Sequence, residues 1–208
     1  MFEDRVDAGR QLAAKLKGLD EWHDAVVLGI PRGGVVVAAE VAAYLDLPLD
    51  IVMAAKVGAP GNPEYAVGAV TADGEVLVNP AAGFSATEVR ALAAPALTKV
   101  KHSLDLFRGG REGPEIEDRQ AIIVDDGIAT GLTAEAAVEY LRRCGASQVV
   151  LAVPVAPKSA IAGLRAMADV LVTVETPEWF SAVGQFYRTF GQTTDEEVQR
   201  LLTAQRTP

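Results

Sequence analysis

The chain has little with which to cross-link itself. Of its 208 residues one is cysteine, Cys144, and two are histidine, His23 and His102. A single thiol excludes an intrachain disulfide and any multi-cysteine metal site, and Cys144, ahead of Gly145 at the end of an expected helix, reads as a packing residue. Positive charge is also scarce: 19 Lys and Arg face 28 Asp and Glu, for a formal charge of −9. A nucleic-acid partner needs a basic face, so none is expected. No apolar run reaches the length of a membrane span. The opening Phe2-Glu3-Asp4-Arg5 is charged at once, unlike a signal peptide, so the expectations are a cytoplasmic location and no membrane partner. Repeats and low-complexity linkers are missing too. One domain over residues 1–208 is therefore expected, with 50% hydrophobic residues to fill its core.

What is present alternates between two periods. Residues 4–19 place Val6, Leu12, Ala13, Leu16 and Leu19 at helical spacing. Short apolar runs at 25–30, 49–55, 122–124, 149–153 and 170–174 suit strands buried on both faces, and helices are expected at 35–45, 134–144 and 159–168. The alternation predicts an α/β fold, a doubly wound parallel sheet of about five strands with helices on both faces. Between the second strand and the third lie a Gly- and Pro-rich loop at 58–65, a hairpin over 66–79 turning at Asp73-Gly74, and a long helix from Ser85 to about Phe107. Ser85 and Glu88 form a capping-box pattern at its start, and Pro95 is expected to kink it. A last helix runs from the Thr194 cap to Leu202.

The stretch 121–133, Ala-Ile-Ile-Val-Asp-Asp-Gly-Ile-Ala-Thr-Gly-Leu-Thr, concentrates the chemistry. Asp125 and Asp126 follow a β-branched run directly, which puts two carboxylates at the carboxyl end of a strand, where open α/β sheets bind ligands. Thr130, Gly131 and Thr133 then fall where a turn becomes a helix. Free N–H groups, a glycine and two hydroxyls meeting there make an anion site, most naturally for phosphate. Ionised aspartate only accepts hydrogen bonds, so the pair suits vicinal sugar hydroxyls close to that phosphate. A second loop, Gly29-Ile-Pro-Arg32-Gly33-Gly34, offers amides and a guanidinium to another anion. Lys56, at the end of the expected second strand, can meet a phosphate oxygen or simply solvate the strand end.

The stretch resembles the phosphoribosyl pyrophosphate (PRPP) signature of the type I phosphoribosyltransferases. The resemblance covers about 24–175, leaving 1–20 and 176–208 as a hood built from the chain ends. It implies that Asp125 and Asp126 hold the ribose diol, that Ala129, Thr130, Gly131, Leu132 and Thr133 hold the 5′-phosphate, and that Arg32, Gly33 and Gly34, with Lys56, face the pyrophosphate. The Gly/Pro loop looks like the family's flexible catalytic lid, with Glu64 and Tyr65 as its main functional side chains. Members acting on 6-oxopurines carry a carboxylate where this chain has Ala129, so the lid's Glu64 becomes the candidate acid or base. Trp179, Phe186 or Tyr187, in an aromatic-rich tail, would stack on a nitrogenous base or else pack the tail onto the sheet or the second subunit of a homodimer. Mg²⁺ is expected from the chemistry of the leaving group. Transfer of ribose 5-phosphate from PRPP to a base is the expected function; a PRPP-sensing regulator with little turnover is the alternative.

Overall fold

The computed structural model describes residues 1–19 and 22–204; residues 20 and 205–208 of the expected hood lie outside them. Helix α1 (Arg5–Lys17) opens the chain under an Asp4 cap, whose carboxylate accepts the Asp7 N–H at 2.9 Å. Strand β1 (Ala25–Gly29), helix α2 (Gly33–Leu45) and strand β2 (Leu49–Ile51) follow. An antiparallel excursion comes next, β3 (Ala54–Ala59), β4 (Asn62–Thr71) and β5 (Val76–Val78), succeeded by α3 (Ala86–Leu92) and α4 (Ala94–Arg108). The chain then resumes its alternation with β6 (Gln120–Val124), α5 (Leu132–Arg143), β7 (Gln148–Val155), α6 (Ile161–Met167), β8 (Val170–Glu175) and α7 (Asp195–Ala204).

The main sheet is the expected one: five parallel strands in the order β2-β1-β6-β7-β8. Its pleat divides each strand between two cores. Val27, Ile122 and Val150 meet α1, α2 and α7 on one face, while Val26, Ile123 and Leu151 meet α5 and α6 on the other. Burial on both sides explains why these strands read as unbroken apolar runs rather than alternating ones. Among the described residues no helix is long and apolar enough to cross a membrane.

The excursion departs from the sequence reading. Residues 49–55 are not one strand: β2 ends at Ile51, and Ala54 begins a separate sheet ordered β3-β4-β5. The Gly/Pro stretch 58–65 is mostly strand rather than loop, closed around Pro60 and Gly61, with irregular register where Gly58 and Ala59 pair. Such bulged pairing accommodates the glycines and Pro63 at a sheet's outer end. The next connection is longer than two residues, because the Thr71 N–H reaches the Glu75 carbonyl at 3.1 Å across Ala72–Gly74. Ser85 and Glu88 form their capping box, but Pro95 does more than kink: the chain breaks at Ala93 into α3 and α4, with Pro95 in the first turn of the second. His102 is exposed on α4, and Cys144 is half-buried at the end of α5.

Candidate functional site

Strands β1 and β6 lie side by side, Gly29 opposite Val124. From β1 the chain crosses to β2 at one edge, whereas from β6 it crosses to β7 on the opposite side. That divergence leaves a crevice at the carboxyl ends of the two strands, the switch point at which open α/β sheets take ligands. The two loops identified in the sequence meet there. They touch through glycine: a Cβ on Gly34 would stand 2.8 Å from the Asp125 Cα and the Val124 carbonyl oxygen, and one on Gly33 would collide with Asp126 Oδ2. Any side chain larger than hydrogen would separate the Arg32 loop from the acids.

The two acids are held differently. Asp125 Oδ1 accepts the Asp126 N–H at 2.8 Å, while Asp126 Oδ2 accepts Arg5 Nε at 2.8 Å. Burial, followed by repulsion from Asp126, pushes the Asp125 carboxyl well above its ordinary value, against the pull of the Asp126 N–H and of Arg5. Burial also raises Asp126, with the Arg5 guanidinium as the main opposing influence. Beyond them Ala129 and Thr130 are exposed, and Gly131, at φ +83°, turns the chain into α5. The N–H groups of Ala129, Thr130 and Gly131 find no acceptor within the described residues. With the first turn of α5, whose N–H groups have no partner within the helix, they form a row of donors at the turn.

Arg32 precedes α2 and is 40% exposed, its Nη1 3.5 Å from Asp195 Oδ1 at the start of α7. Lys56 is not on the rim of the main sheet as expected, because β3 belongs to the other sheet; its Nζ pairs with Glu64 Oε2 at 2.9 Å across the β3–β4 hairpin. Arg32 and Lys56 nonetheless line one cleft of about 980 Å³, floored by Met53, Val100 and Phe107 and flanked by Lys99. Glu64 projects into solvent, its side chain 92% exposed. Tyr65 is half-exposed, its hydroxyl donating to the Ala81 carbonyl at 3.3 Å.

The tail is largely committed to packing. Tyr187, 6% exposed, joins Phe2 in a small core linking the two chain ends, and its hydroxyl donates to the Asp126 carbonyl oxygen. Burial, then the charge of Asp126, raises that phenol so that it stays a donor. Tyr187 therefore supports the acid loop from behind rather than offering a ring face. Phe186 stacks on Phe180 with centroids 5.3 Å apart. Trp179 is 88% exposed, beside the Lys158–Glu178 pair.

Sequence reasoning missed Arg5. Its Nε holds Asp126, its Nη1 donates to the Gly191 carbonyl at 2.7 Å, and its Cζ lies 3.9 Å from the Phe190 ring centroid. Arg5 and Asp126 are 121 positions apart, beyond the reach of any local pattern.

A phosphoribosyl transferase domain model matches residues 2–190. The chain belongs to that family. A protein of Mycobacterium tuberculosis strain H37Rv that bears the name "putative phosphoribosyl transferase" is 45% identical over 206 residues, covering 97% of this chain and 46% of its own length. The chain thus spans about half the length of the curated relatives it matches. The crystal structure of TT1426 from Thermus thermophilus superposes with a TM-score of 0.85 at 42% identity, covering 98% of each chain. A Neisseria gonorrhoeae protein solved with bound ppGpp shares the fold, at a TM-score of 0.50 and 16% identity over 99% of this chain and 95% of that one. For the phosphoribosyl transferase domain, the acid pair, the glycine contact and the open amide row at the switch point form the candidate site.

Proposed function

We propose that the domain transfers ribose 5-phosphate from PRPP to a ring nitrogen of a nitrogenous base and releases pyrophosphate. The observation that carries this reading is the Gly33–Gly34 contact with Asp125–Asp126, which sets an anion loop against a diol-binding acid pair. In this reading the amides from Ala129 to Thr133, with the Thr130 and Thr133 hydroxyls, take the 5′-phosphate. Asp125 and Asp126 accept hydrogen bonds from the ribose hydroxyls, and Arg32 with the loop amides takes pyrophosphate. As the bond from the anomeric carbon to pyrophosphate lengthens, positive charge grows on the ribose and negative charge on the leaving group. The acids stabilise the first and the cationic loop the second, both fixed before the reaction begins.

Among the described residues no group of three or more His, Cys, Asp or Glu gathers into a protein cage for a metal. An acid pair with one member on an arginine fits Mg²⁺ bound mostly through the ligand's own oxygens, Asp125 and Asp126 being the carboxylates at hand. Bound so, the ion would help neutralise the leaving pyrophosphate. Ala129 cannot move a proton, which leaves Glu64, delivered when the β3–β4 arm closes, as the acid or base. Of the rings expected at the base, Trp179 keeps both faces open to stack.

Pyrophosphate release from PRPP, measured with Mg²⁺ against a panel of bases, tests the reading. The parent protein should turn over with at least one base. The Asp125→Asn/Asp126→Asn double variant should bind PRPP about a hundredfold or more weakly, since each charge-assisted hydrogen bond contributes about 1.5–3 kcal/mol. Binding without turnover for every base would identify a PRPP sensor, and unchanged PRPP affinity in a folded double variant would remove the site assignment.

A further inference from the structure

The N-terminal helix carries an arginine into the candidate site. The Arg5 side chain is 12% exposed, and its guanidinium is fixed on three sides: Nε on Asp126, Nη1 on the Gly191 carbonyl, and its face on the Phe190 ring. A guanidinium has five N–H donors. Two hydrogen bonds account for its protein acceptors among the described residues, so donors remain on a group that has already lost its rotational freedom. Its position matters more than its spare capacity. A Cβ added to Gly33 would lie 2.7 Å from Arg5 Nε, so the arginine rests directly against the anion loop as well as against the acid.

Arg5, Arg32 and Gly33 line one recess of about 400 Å³, completed by Phe190, Gly191, Gln192 and Thr193. Among the described residues no carboxylate lines it. Two arginine side chains that share one recess repel each other, and an anion bound between them would relieve that repulsion. Each has a carboxylate to one side, Asp126 for Arg5 and Asp195 for Arg32, but the second pair is exposed and long at 3.5 Å, hence weak and easily exchanged for a ligand. A planar, always-charged donor fork is the side chain best suited to phosphate oxygens.

We propose that Arg5 is a ligand-binding residue of this site: with Arg32 it clamps the pyrophosphate group of PRPP, while its Nε holds Asp126 in place for the ribose. The inference rests on the PRPP reading above and adds a cation from outside both sequence motifs. It joins the two halves of the ligand through one side chain. Pyrophosphate bound to Arg5 and Arg32 stiffens the same guanidinium that orients Asp126, so leaving group and ribose are gripped together.

Calorimetry with pyrophosphate, ribose 5-phosphate and PRPP, each with Mg²⁺, on the parent, Arg5→Gln and Arg5→Lys proteins tests this. Expected are a loss of about tenfold or more in pyrophosphate affinity for Arg5→Gln, a smaller loss for Arg5→Lys, which keeps the charge but not the fork, and in both variants a ribose 5-phosphate loss, transmitted through the loosened Asp126, that is several-fold smaller than the pyrophosphate loss. Should Arg5→Gln fail to fold, the same ligand ranking in Arg5→Lys carries the test. Ribose 5-phosphate affinity lost with pyrophosphate affinity kept would overturn the proposal, leaving Arg5 as a support for Asp126 alone. Equal losses for the two ligands, or no loss for either, would overturn it as well. A folded parent that binds none of the three ligands would overturn the PRPP reading itself, an outcome separate from any ranking among the variants.

Discussion

Gly33→Ala is the most local perturbation of the candidate site. In an isolated helix the change should help, by up to about 1 kcal/mol. Here the new methyl would collide with Asp126 Oδ2 and stand 2.8 Å from Asp126 Cγ and 2.7 Å from Arg5 Nε. Restoring a non-bonded separation of about 3.5 Å requires Asp126 Oδ2 to retreat by roughly 1.5 Å and Arg5 Nε by roughly 0.8 Å. The Arg5–Asp126 bond, 2.8 Å in length, does not survive both retreats within hydrogen-bonding range. Losing a charge-assisted bond costs about 1.5–3 kcal/mol, which after the helix gain leaves a net destabilisation of about 0.5–2 kcal/mol. The atoms in the way belong to side chains that can move, so the fold should persist while PRPP affinity drops by about tenfold or more. Gly34→Ala differs in kind. Its methyl would meet the Asp125 Cα and the Val124 carbonyl at 2.8 Å, backbone that cannot swing aside, so stability should fall further. Gly163→Ala, in α6 with open space around its Cβ, is the control and should stabilise by about 0.4–1 kcal/mol. Urea unfolding and PRPP calorimetry on the three variants provide the readouts. If Gly33→Ala unfolds at the parent's midpoint and binds PRPP at the parent's affinity, the glycine contact does not hold the site together.

Two further substitutions probe the remaining assignments. Arg32→Lys keeps the charge but loses the planar fork, so pyrophosphate affinity should fall more than ribose 5-phosphate affinity; equal losses in calorimetry would mean that the loop itself was disturbed. Glu64→Gln should lower turnover by about two to four powers of ten with PRPP binding little changed, and a variant with the parent's rate and pH profile against an accepted base would exclude Glu64 from proton transfer.

How much of this was legible in the sequence follows from the range of the interactions involved. Ile122, Ile123 and Val124 announce a strand because burial on both faces of a parallel sheet imposes the same demand on successive residues. The Ser85–Glu88 cap is equally local, its partners being three residues apart. The β3–β4 arm was misread because glycine and proline argue against a central strand, whereas an outer hairpin with irregular register tolerates both. Lys56 moved with it: a strand expected to end at Ala55 gives that lysine one neighbourhood, and a strand starting at Ala54 gives it another.

The tail shows a different limit. Composition says that aromatic side chains crowd into 179–190, yet not which of them face a ligand, because a ring that stacks on a base and a ring that fills a core have the same sequence signal. Backbone pairing decides it. Phe2 N–H donates to the Phe186 carbonyl at 2.7 Å and Arg188 N–H to the Phe2 carbonyl at 2.9 Å, which fixes the start of the chain beside the tail and turns Tyr187 inward beneath Asp126. The same pairing sets α1 where Arg5 reaches the acids. A residue three places from a main-chain tether has little freedom to be elsewhere, so the burial of Tyr187 and the delivery of Arg5 are two consequences of one long-range contact. Loosening that contact, rather than altering either side chain, should therefore disturb Asp126 from both sides at once.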